Sequence, residues 1–400
     1  MDLNDNNVSK KSVADVNPFF IYILGFSIAI IVYLLDWSYL FPQLTLSLLI
    51  FLIITFVISG LLGVYIHRKR VLIFYEHINQ LNVGWIIVLI TIGYGLNFAY
   101  ARQIPLFSIV NNADIDYREF GIPTFYVILA TFTSFFSVYL FKCYLVEKKK
   151  RYVFYCIYLF IFPLLIVNRG AILLNMSSMI FIFLFSYKKS KIKIYFRLLM
   201  IVVVILLGFG LLGNLRTSNQ VDKSQTQDIN DIMLNLGEAK PAFVKSSIPK
   251  TYFWSYLYIA SPLANLQSVI NHNKPKYSVS NFLQYVNSEL NFDFISKRIF
   301  SILDIEKPEN IRIAPFLTVS TVYATSYSYI GWWGMAATFF FLMAVTIIYL
   351  IILKPKNPYF STSIAILCTF FLFCIFDNMF FFSGMSFQLV YPILLSLKFK

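Results

Sequence analysis

Arginine side chains stand at three points where an apolar stretch of this chain begins or ends. Arg169 separates two apolar stretches, Arg216 follows another, and Arg312 precedes the last group of them. A guanidinium stays protonated and donates paired hydrogen bonds to phosphate oxygens. This spacing predicts a binding site for a diphosphate. The simpler alternative is an interfacial charge: a snorkelling anchor at Arg169, or a loop-start cation at Arg216.

Three other side chains are candidate proton acceptors. Asp114 and Asp116 form an Asp-x-Asp pair, which would serve as a base or hold a divalent cation, although such clusters are also typical of turns. His272 is a candidate general base because a histidine titrates near neutral pH. The alternative for His272 is an ordinary solvated loop histidine.

The elements that must position these residues are membrane-spanning helices. The chain has 400 residues, of which 58% are hydrophobic and 13% charged, whereas soluble proteins carry about 25% charged residues. This composition excludes a soluble globular domain. Apolar stretches long enough to cross a bilayer predict an all-α polytopic membrane protein with about ten transmembrane helices, at 18–35, 40–66, 84–101, 123–146, 152–168, 171–187, 198–213, 330–353, 360–376 and 384–397.

The distribution of Lys and Arg predicts which ends of these helices face the cytoplasm. Eighteen basic residues fall in alternate loops and at both termini, whereas the opposite short loops hold three. Both termini are therefore expected in the cytoplasm, with the protein in the bacterial inner membrane. The net charge of +14 follows from this topology and disfavours nucleic acid as a partner. The four cysteines have neither disulfide nor metal-ligand spacing.

The predicted topology divides the chain into four regions. Residues 1–17 form a cytoplasmic tail, and residues 18–213 form a seven-span region. Residues 214–329 form a large external loop, and residues 330–400 form a three-span region. The external loop is the only hydrophilic part large enough to hold a site.

Several segments outside the spans have a helical pattern. Apolar residues at helical spacing predict amphipathic helices over 229–236 and 280–303. The apolar stretch 251–270 predicts a re-entrant or interfacial helix that is interrupted at Pro262. A surface helix is expected over 71–83.

Several short motifs also occur in order between about residues 85 and 380. They are Tyr100 with Ile104-Pro105-Leu106, Arg169-Gly170, Gly213-x-x-Arg216, Tyr258-x-x-x-Pro262-x-x-Asn265-Leu266, Thr318-x-x-Thr321 and Tyr329-Ile330-Gly331-x-x-Gly334. In order and topology they resemble the O-antigen polymerase (Wzy) family of oligosaccharide repeat-unit polymerases. An acidic residue often precedes the first glycine of the last motif in that family. This chain has Ile330 there, so no acidic role is assigned to that position.

The resemblance implies a GT-C-like polymerase or ligase architecture and a glycosyltransferase activity on the external membrane face. Such enzymes join undecaprenyl-diphosphate-linked units into O-antigen or capsule-type polysaccharide, and arginines in place of a metal imply no cofactor. The implied base is His272, Asp114 or Asp116. The residues expected to contact the substrate are Arg169, Arg216, Arg312, Arg118, Tyr258 and Asn265. The expected partners are the lipid-linked oligosaccharide, the bilayer, a chain-length regulator and a flippase.

Two other functions stay open. An O-antigen ligase has similar topology and arginine chemistry but a different acceptor. A transporter of lipid-linked oligosaccharides would have more spans, short loops on both faces and charged residues within the spans, so the long external loop counts against it.

Overall fold

The computed structural model describes residues 10–13, 16–75, 77–79, 81–110, 120–186, 229–275, 277–303, 305 and 311–397. Within these ranges the named elements are helices apart from two short strands, β1 (Lys10–Val13) and β2 (Ile73–Tyr75). The helices before residue 187 are α1 (Pro18–Tyr33), α2 (Leu46–Arg68), α3 (Val83–Ala101), α4 (Pro105–Val110), α5 (Phe125–Glu147), α6 (Lys150–Leu165) and α7 (Arg169–Ser186). The later helices are α8 (Ile229–Leu236), α9 (Pro241–Val244), α10 (Tyr252–His272), α11 (Val279–Glu289), α12 (Asp293–Leu303), α13 (Ala324–Ile352), α14 (Phe360–Phe373), α15 (Ser383–Ser386) and α16 (Val390–Leu397).

Five of these helices are long and apolar enough to cross a membrane, namely α2, α3, α5, α7 and α13. Shorter apolar helices are α1, α14 and the segment Ser383–Leu397, in which a 3₁₀ turn joins α15 to α16. The prediction of an α-helical membrane protein is confirmed. The predicted span at 198–213 lies outside the described residues, and ten spans in a GT-C-like arrangement stay a prediction.

Several predicted cytoplasmic segments meet at one end of the helix bundle. The ammonium group of Lys142, near the end of α5, donates to the carbonyl oxygens of His77 and Pro358. The amide of Asn357 donates to the hydroxyl of Ser396 in α16. The N-terminal strand β1 pairs with β2, just before His77. These segments share one end of the bundle, called the basic end below, and its orientation in the membrane stays a prediction from the charge count.

The strand β2 stands where a surface helix was expected over 71–83, so that expectation is wrong. Residues Ile73–Tyr75 pair antiparallel with Lys10–Val13. The sequence of β2 consists of β-branched and aromatic residue types, which are common in strands. Its partner comes from the distant N-terminal segment, which a local pattern cannot indicate.

The helix α10 is continuous through Pro262, so the predicted interruption there is wrong. A proline inside a helix removes one backbone hydrogen bond. The loss is local, because α10 packs against α1 and α13 and its residues 253–257 and 260–269 are buried. The tertiary contacts on both sides of Pro262 therefore hold the helix together.

The helix α10 lies along the connection between α1 and α2. The hydroxyl of Tyr256 accepts from the backbone N–H of Trp37 at 3.1 Å. The side-chain oxygen of Gln267 accepts from the backbone N–H of Thr45 at 2.8 Å. Because α1 starts at the basic end and this connection follows α1, α10 lies at the opposite end of the bundle.

The helix α13 is a hairpin of two helical arms. Its backbone leaves the helical conformation at Ile330 and Gly331, where Gly331 has φ 60° and ψ −143°. Ser326 Oγ and Thr338 Oγ1 are 2.7 Å apart, whereas a straight helix would separate twelve residues by about 18 Å. The predicted span from 330 thus begins at the apex of this α13 hairpin. Its first arm, residues 324–329, folds back on the second arm, residues 331–352.

Candidate functional site

Three of the predicted site residues lie on one stripe of α10. Tyr258, Asn265 and His272 follow one another at intervals of seven residues, which is about two helical turns or 10 Å. Tyr258 is half-buried with its ring against Trp254, Asn265 is buried, and His272 is exposed at the end of the helix. The α10 stripe therefore leads from the packed interior to an exposed edge.

Asn265 holds an extended segment against this stripe. Its side-chain oxygen accepts from the backbone N–H of Ile313 at 2.8 Å. Its amide nitrogen donates to the carbonyl oxygens of Leu317 at 2.8 Å and Val319 at 2.7 Å. Both ends of the amide are thus bonded to the backbone of the protein itself. Asn265 shapes the site, which differs from the substrate contact that the resemblance implies.

Replacing Asn265 by leucine is expected to lower the free energy of unfolding by about 3 kcal/mol, because one buried and two half-buried backbone groups lose their partners. Asn271→Leu is the matched control, since Asn271 is exposed one residue before the end of α10 and its side chain accepts from Gln267. Thermal unfolding of the two variants in detergent measures the difference. Equal unfolding midpoints for both variants would contradict this Asn265 clamp, the three hydrogen bonds from Asn265 to the backbone of residues 313–319.

Arg312 is placed beside α10 by the same clamp. It directly precedes Ile313, and its side chain is exposed. Because Asn265 lies about two turns before His272, Arg312 lies beside the Asn265 position of the stripe, about 10 Å along α10 from the His272 position. The structure thus brings a cation and a titratable ring to one region.

The His272 ring has one tautomer that its surroundings favour. Its Nδ1 lies 2.9 Å from the carbonyl oxygen of Ser268. A carbonyl oxygen only accepts, so this contact assigns the hydrogen to Nδ1 and leaves the lone pair of a neutral ring on Nε2. Since the side chain is exposed, Nε2 can accept a proton from a bound hydroxyl group.

The residues after His272 pack against the apex of the α13 hairpin. The amide of Asn273 donates to the carbonyl oxygen of Ser328 at 3.1 Å. A Cβ on Gly331 would lie 2.9 Å from Pro275 and 3.0 Å from the hydroxyl of Tyr277. Glycine is therefore required at the apex both for its positive φ and for this close approach.

A buried carboxylate lies where the hairpin meets α11. Glu289, the last residue of α11, is 2% exposed. Its Oε2 accepts from Ser326 Oγ at 3.2 Å and from Asn378 Nδ2 at 2.9 Å. Asn378 Nδ2 also donates to the backbone oxygen of Glu289 at 2.8 Å. Glu289 therefore joins α11, the first arm of the α13 hairpin and the segment after α14.

A chain of hydroxyl groups continues from this carboxylate. Ser326 Oγ is 2.7 Å from Thr338 Oγ1, which is 2.9 Å from the hydroxyl of Tyr285. Each hydroxyl has one hydrogen, so donation from Ser326 to an ionised Glu289 requires Thr338 to donate to Ser326 and Tyr285 to Thr338. Burial raises the pKa of Tyr285 to about 12, so its hydroxyl keeps this hydrogen at neutral pH.

Glu289 is not among the predicted site residues, although the sequence contains a signal for it. Glu289 follows Phe282 by seven residues and Tyr285 by four, and so lies on the apolar face of the amphipathic pattern over 280–303. An acidic residue on such a face is expensive to bury and is commonly functional. The pattern over 280–303 forms two helices, α11 and α12, and not one.

Arg169 lies on a different element from the α10 stripe. It is exposed at the first position of α7, and the side chain of Asn168 caps that helix by accepting from the backbone N–H of Ala171 at 3.0 Å. The helix α6 leads away from the basic end, so Arg169 lies at the same end of the bundle as α10. Four other predicted site residues, Asp114, Asp116, Arg118 and Arg216, lie outside the described residues.

The site therefore combines the α10 stripe, the neighbouring Arg312 and the apex of the α13 hairpin, with the buried Glu289 beneath the hairpin. Three of the motif segments that carry the family resemblance, around Tyr258, Thr318 and Tyr329, meet here. In comparisons with known proteins, no family model, curated protein or solved structure matches the chain.

Proposed function

We propose that the chain is a membrane glycosyltransferase that polymerises oligosaccharide units carried on undecaprenyl diphosphate. The observation that carries the proposal is the exposed His272 ring with its lone pair on Nε2, at the end of the helix whose Asn265 binds the segment that carries Arg312. The convergence of the motif segments on α10 supports it further. The apolar helices suit a substrate that is delivered in the bilayer.

In the proposed reaction, a sugar hydroxyl of the lipid-linked acceptor attacks the anomeric carbon of the donor. The new glycosidic C–O bond forms as the bond from that carbon to the diphosphate oxygen breaks, and the hydroxyl proton passes to Nε2 of His272. Arginine side chains stabilise the negative charge on the departing diphosphate, with Arg312 beside the α10 stripe and Arg169 at the same end of the bundle. Arg216 and Arg118 are further cations, and Tyr258 is a sugar contact.

The proposal is tested by complementing a deletion strain and separating its surface polysaccharide on a gel. His272→Ala and Arg312→Ala are expected to collapse the polymer ladder to a single-repeat band, because the base or the cation is lost. The matched controls are His67→Ala and Lys245→Ala, which remove an exposed histidine and an exposed lysine elsewhere. A full ladder from both site variants would contradict the proposal.

Two alternatives stay in competition, a ligase and a transporter. Glu289 is the observation that bears on the transporter, because a buried acidic residue beside an apolar span is a feature of transport pathways, although Glu289 itself lies in α11, outside the five candidate spans. Purified protein in liposomes separates the classes. Movement of a lipid-linked sugar across the bilayer without new glycosidic bonds would indicate a transporter, and transfer of finished polymer to a lipid acceptor would indicate a ligase.

A further inference from the structure

We infer that Glu289 is a positioning residue that holds the α13 hairpin against the end of α10 that carries His272. The inference deepens the proposed function, because its effect on turnover rests on His272 being the base. The placement of the hairpin is independent of that function. The two parts are tested by different measurements.

Glu289 accepts hydrogen bonds from two other segments of the chain. A buried carboxylate is tolerated when hydrogen bonds compensate for the lost water. The bonds to Glu289 come from Ser326 in the hairpin and from Asn378, which follows α14. The carboxylate is therefore a junction between segments that are far apart in sequence.

The first arm of the hairpin connects this junction to the end of α10. Ser326 lies two residues before Ser328, whose carbonyl oxygen accepts from Asn273, the residue after His272. The amide of Asn281, in α11, donates to the carbonyl oxygen of Tyr329 at 3.4 Å. The first arm is thus bonded to Glu289 through Ser326, to the residue after α10 through Ser328, and to Asn281 of α11 through Tyr329.

Replacing Glu289 by leucine removes this junction, whereas glutamine keeps it. Leucine at 289 has no acceptor, so the buried Ser326 hydroxyl and Asn378 amide would both lose their bond to the side chain. The first arm would then lose its bond from Ser326 to α11, and we expect the apex to shift from its contact with Pro275 and Tyr277. Glutamine keeps one side-chain oxygen for the same two donors, so Glu289→Gln is the matched conservative variant.

The placement of the hairpin is measured with spin labels on the full-length protein in detergent. Lys274→Cys and Trp333→Cys are exposed labelling positions on either side of the contact between apex and loop, and the native cysteines are buried. Strong dipolar broadening of the electron paramagnetic resonance spectrum, caused by two labels that lie close together, is expected in the wild-type background and in Glu289→Gln. The broadening is expected to be lost in Glu289→Leu.

Turnover is measured in parallel with a defined lipid-linked oligosaccharide and unlabelled protein. Glu289→Leu is expected to lower kcat by about tenfold or more while KM changes by less than about twofold, because the base is displaced and the substrate contacts stay. Glu289→Gln is expected to keep most of the wild-type kcat. A low kcat in Glu289→Leu together with a nearly normal kcat in Glu289→Gln indicates a positioning role. A general loss of folded protein would instead lower the yield of both variants.

Each outcome decides a stated part of the inference. Broadening that persists in a monodisperse Glu289→Leu protein overturns it, as does broadening lost without any fall in kcat. If Glu289→Leu fails to fold, Ser326→Ala removes one bond of the junction and is expected to weaken the broadening, and unchanged broadening would again overturn the inference. A wild-type protein with no turnover, but with Glu289-dependent broadening, overturns the proposed function and supports the hairpin placement.

Discussion

Replacement of Ser326 and Thr338 by cysteine is expected to produce a disulfide in nearly every molecule under mild oxidation. The two hydroxyl oxygens are 2.7 Å apart, so the two Cβ atoms lie close to the separation of about 3.5–4.5 Å that a disulfide requires. In a straight helix the same residues would lie about 18 Å apart. The disulfide therefore forms only if α13 is a hairpin.

The cross-link is read by peptide mapping of oxidised protein with and without reductant. The matched control is Ser326→Cys with Thr346→Cys, because Thr346 lies on the same arm about 12 Å beyond Thr338. The native cysteines are buried and contribute little background. A cross-link in neither pair, or in both pairs to the same extent, would show that the arms do not fold back as described.

Gly334→Ala is expected to destabilise the protein by about 3 kcal/mol or more, because the added methyl group overpacks the inside of the hairpin. A Cβ at this position would lie 2.2 Å from the backbone oxygen of Ser326 and 2.8 Å from the side chain of Ile330. The nearest atom belongs to the backbone of the first arm and cannot rotate away. The two arms must separate, which also disturbs the bond between Ser326 and Glu289.

The effect of Gly334→Ala is compared with that of Gly95→Ala, a glycine in α3 with open space around its Cβ position. Alanine at Gly95 should stabilise that helix slightly, by up to about 1 kcal/mol. Size-exclusion chromatography of heated, solubilised protein gives both midpoints. A Gly334→Ala midpoint at or above that of Gly95→Ala would refute the close approach of the two arms.

Local sequence pattern predicted the apolar helices well. The expected spans 84–101 and 123–146 agree with α3 (Val83–Ala101) and α5 (Phe125–Glu147) within two residues. The helix predicted from the apolar spacing over 229–236 is α8. These features are predictable because helical hydrogen bonds join residues four apart and the bilayer sets the span length.

The candidate site was predicted only in part. The sequence identified Tyr258, Asn265 and His272 as separate candidates, and their spacing of seven residues puts them on one face of any helix. The role of Asn265 depends on Ile313, Leu317 and Val319, which lie about fifty residues later in the chain. A pattern within one segment carries no information about such partners.

The sequence by itself determined the membrane class, most of the helices and the residue types available for chemistry. Only the tertiary structure decided that α13 folds back at Gly331, that α10 continues through Pro262 and that Glu289 is buried beneath the hairpin. The physical reason is that each of these depends on contacts between segments distant in the chain. Whether a proline breaks a helix, or a carboxylate is buried, is settled by the free energy of those contacts and not by the local propensity of the residue.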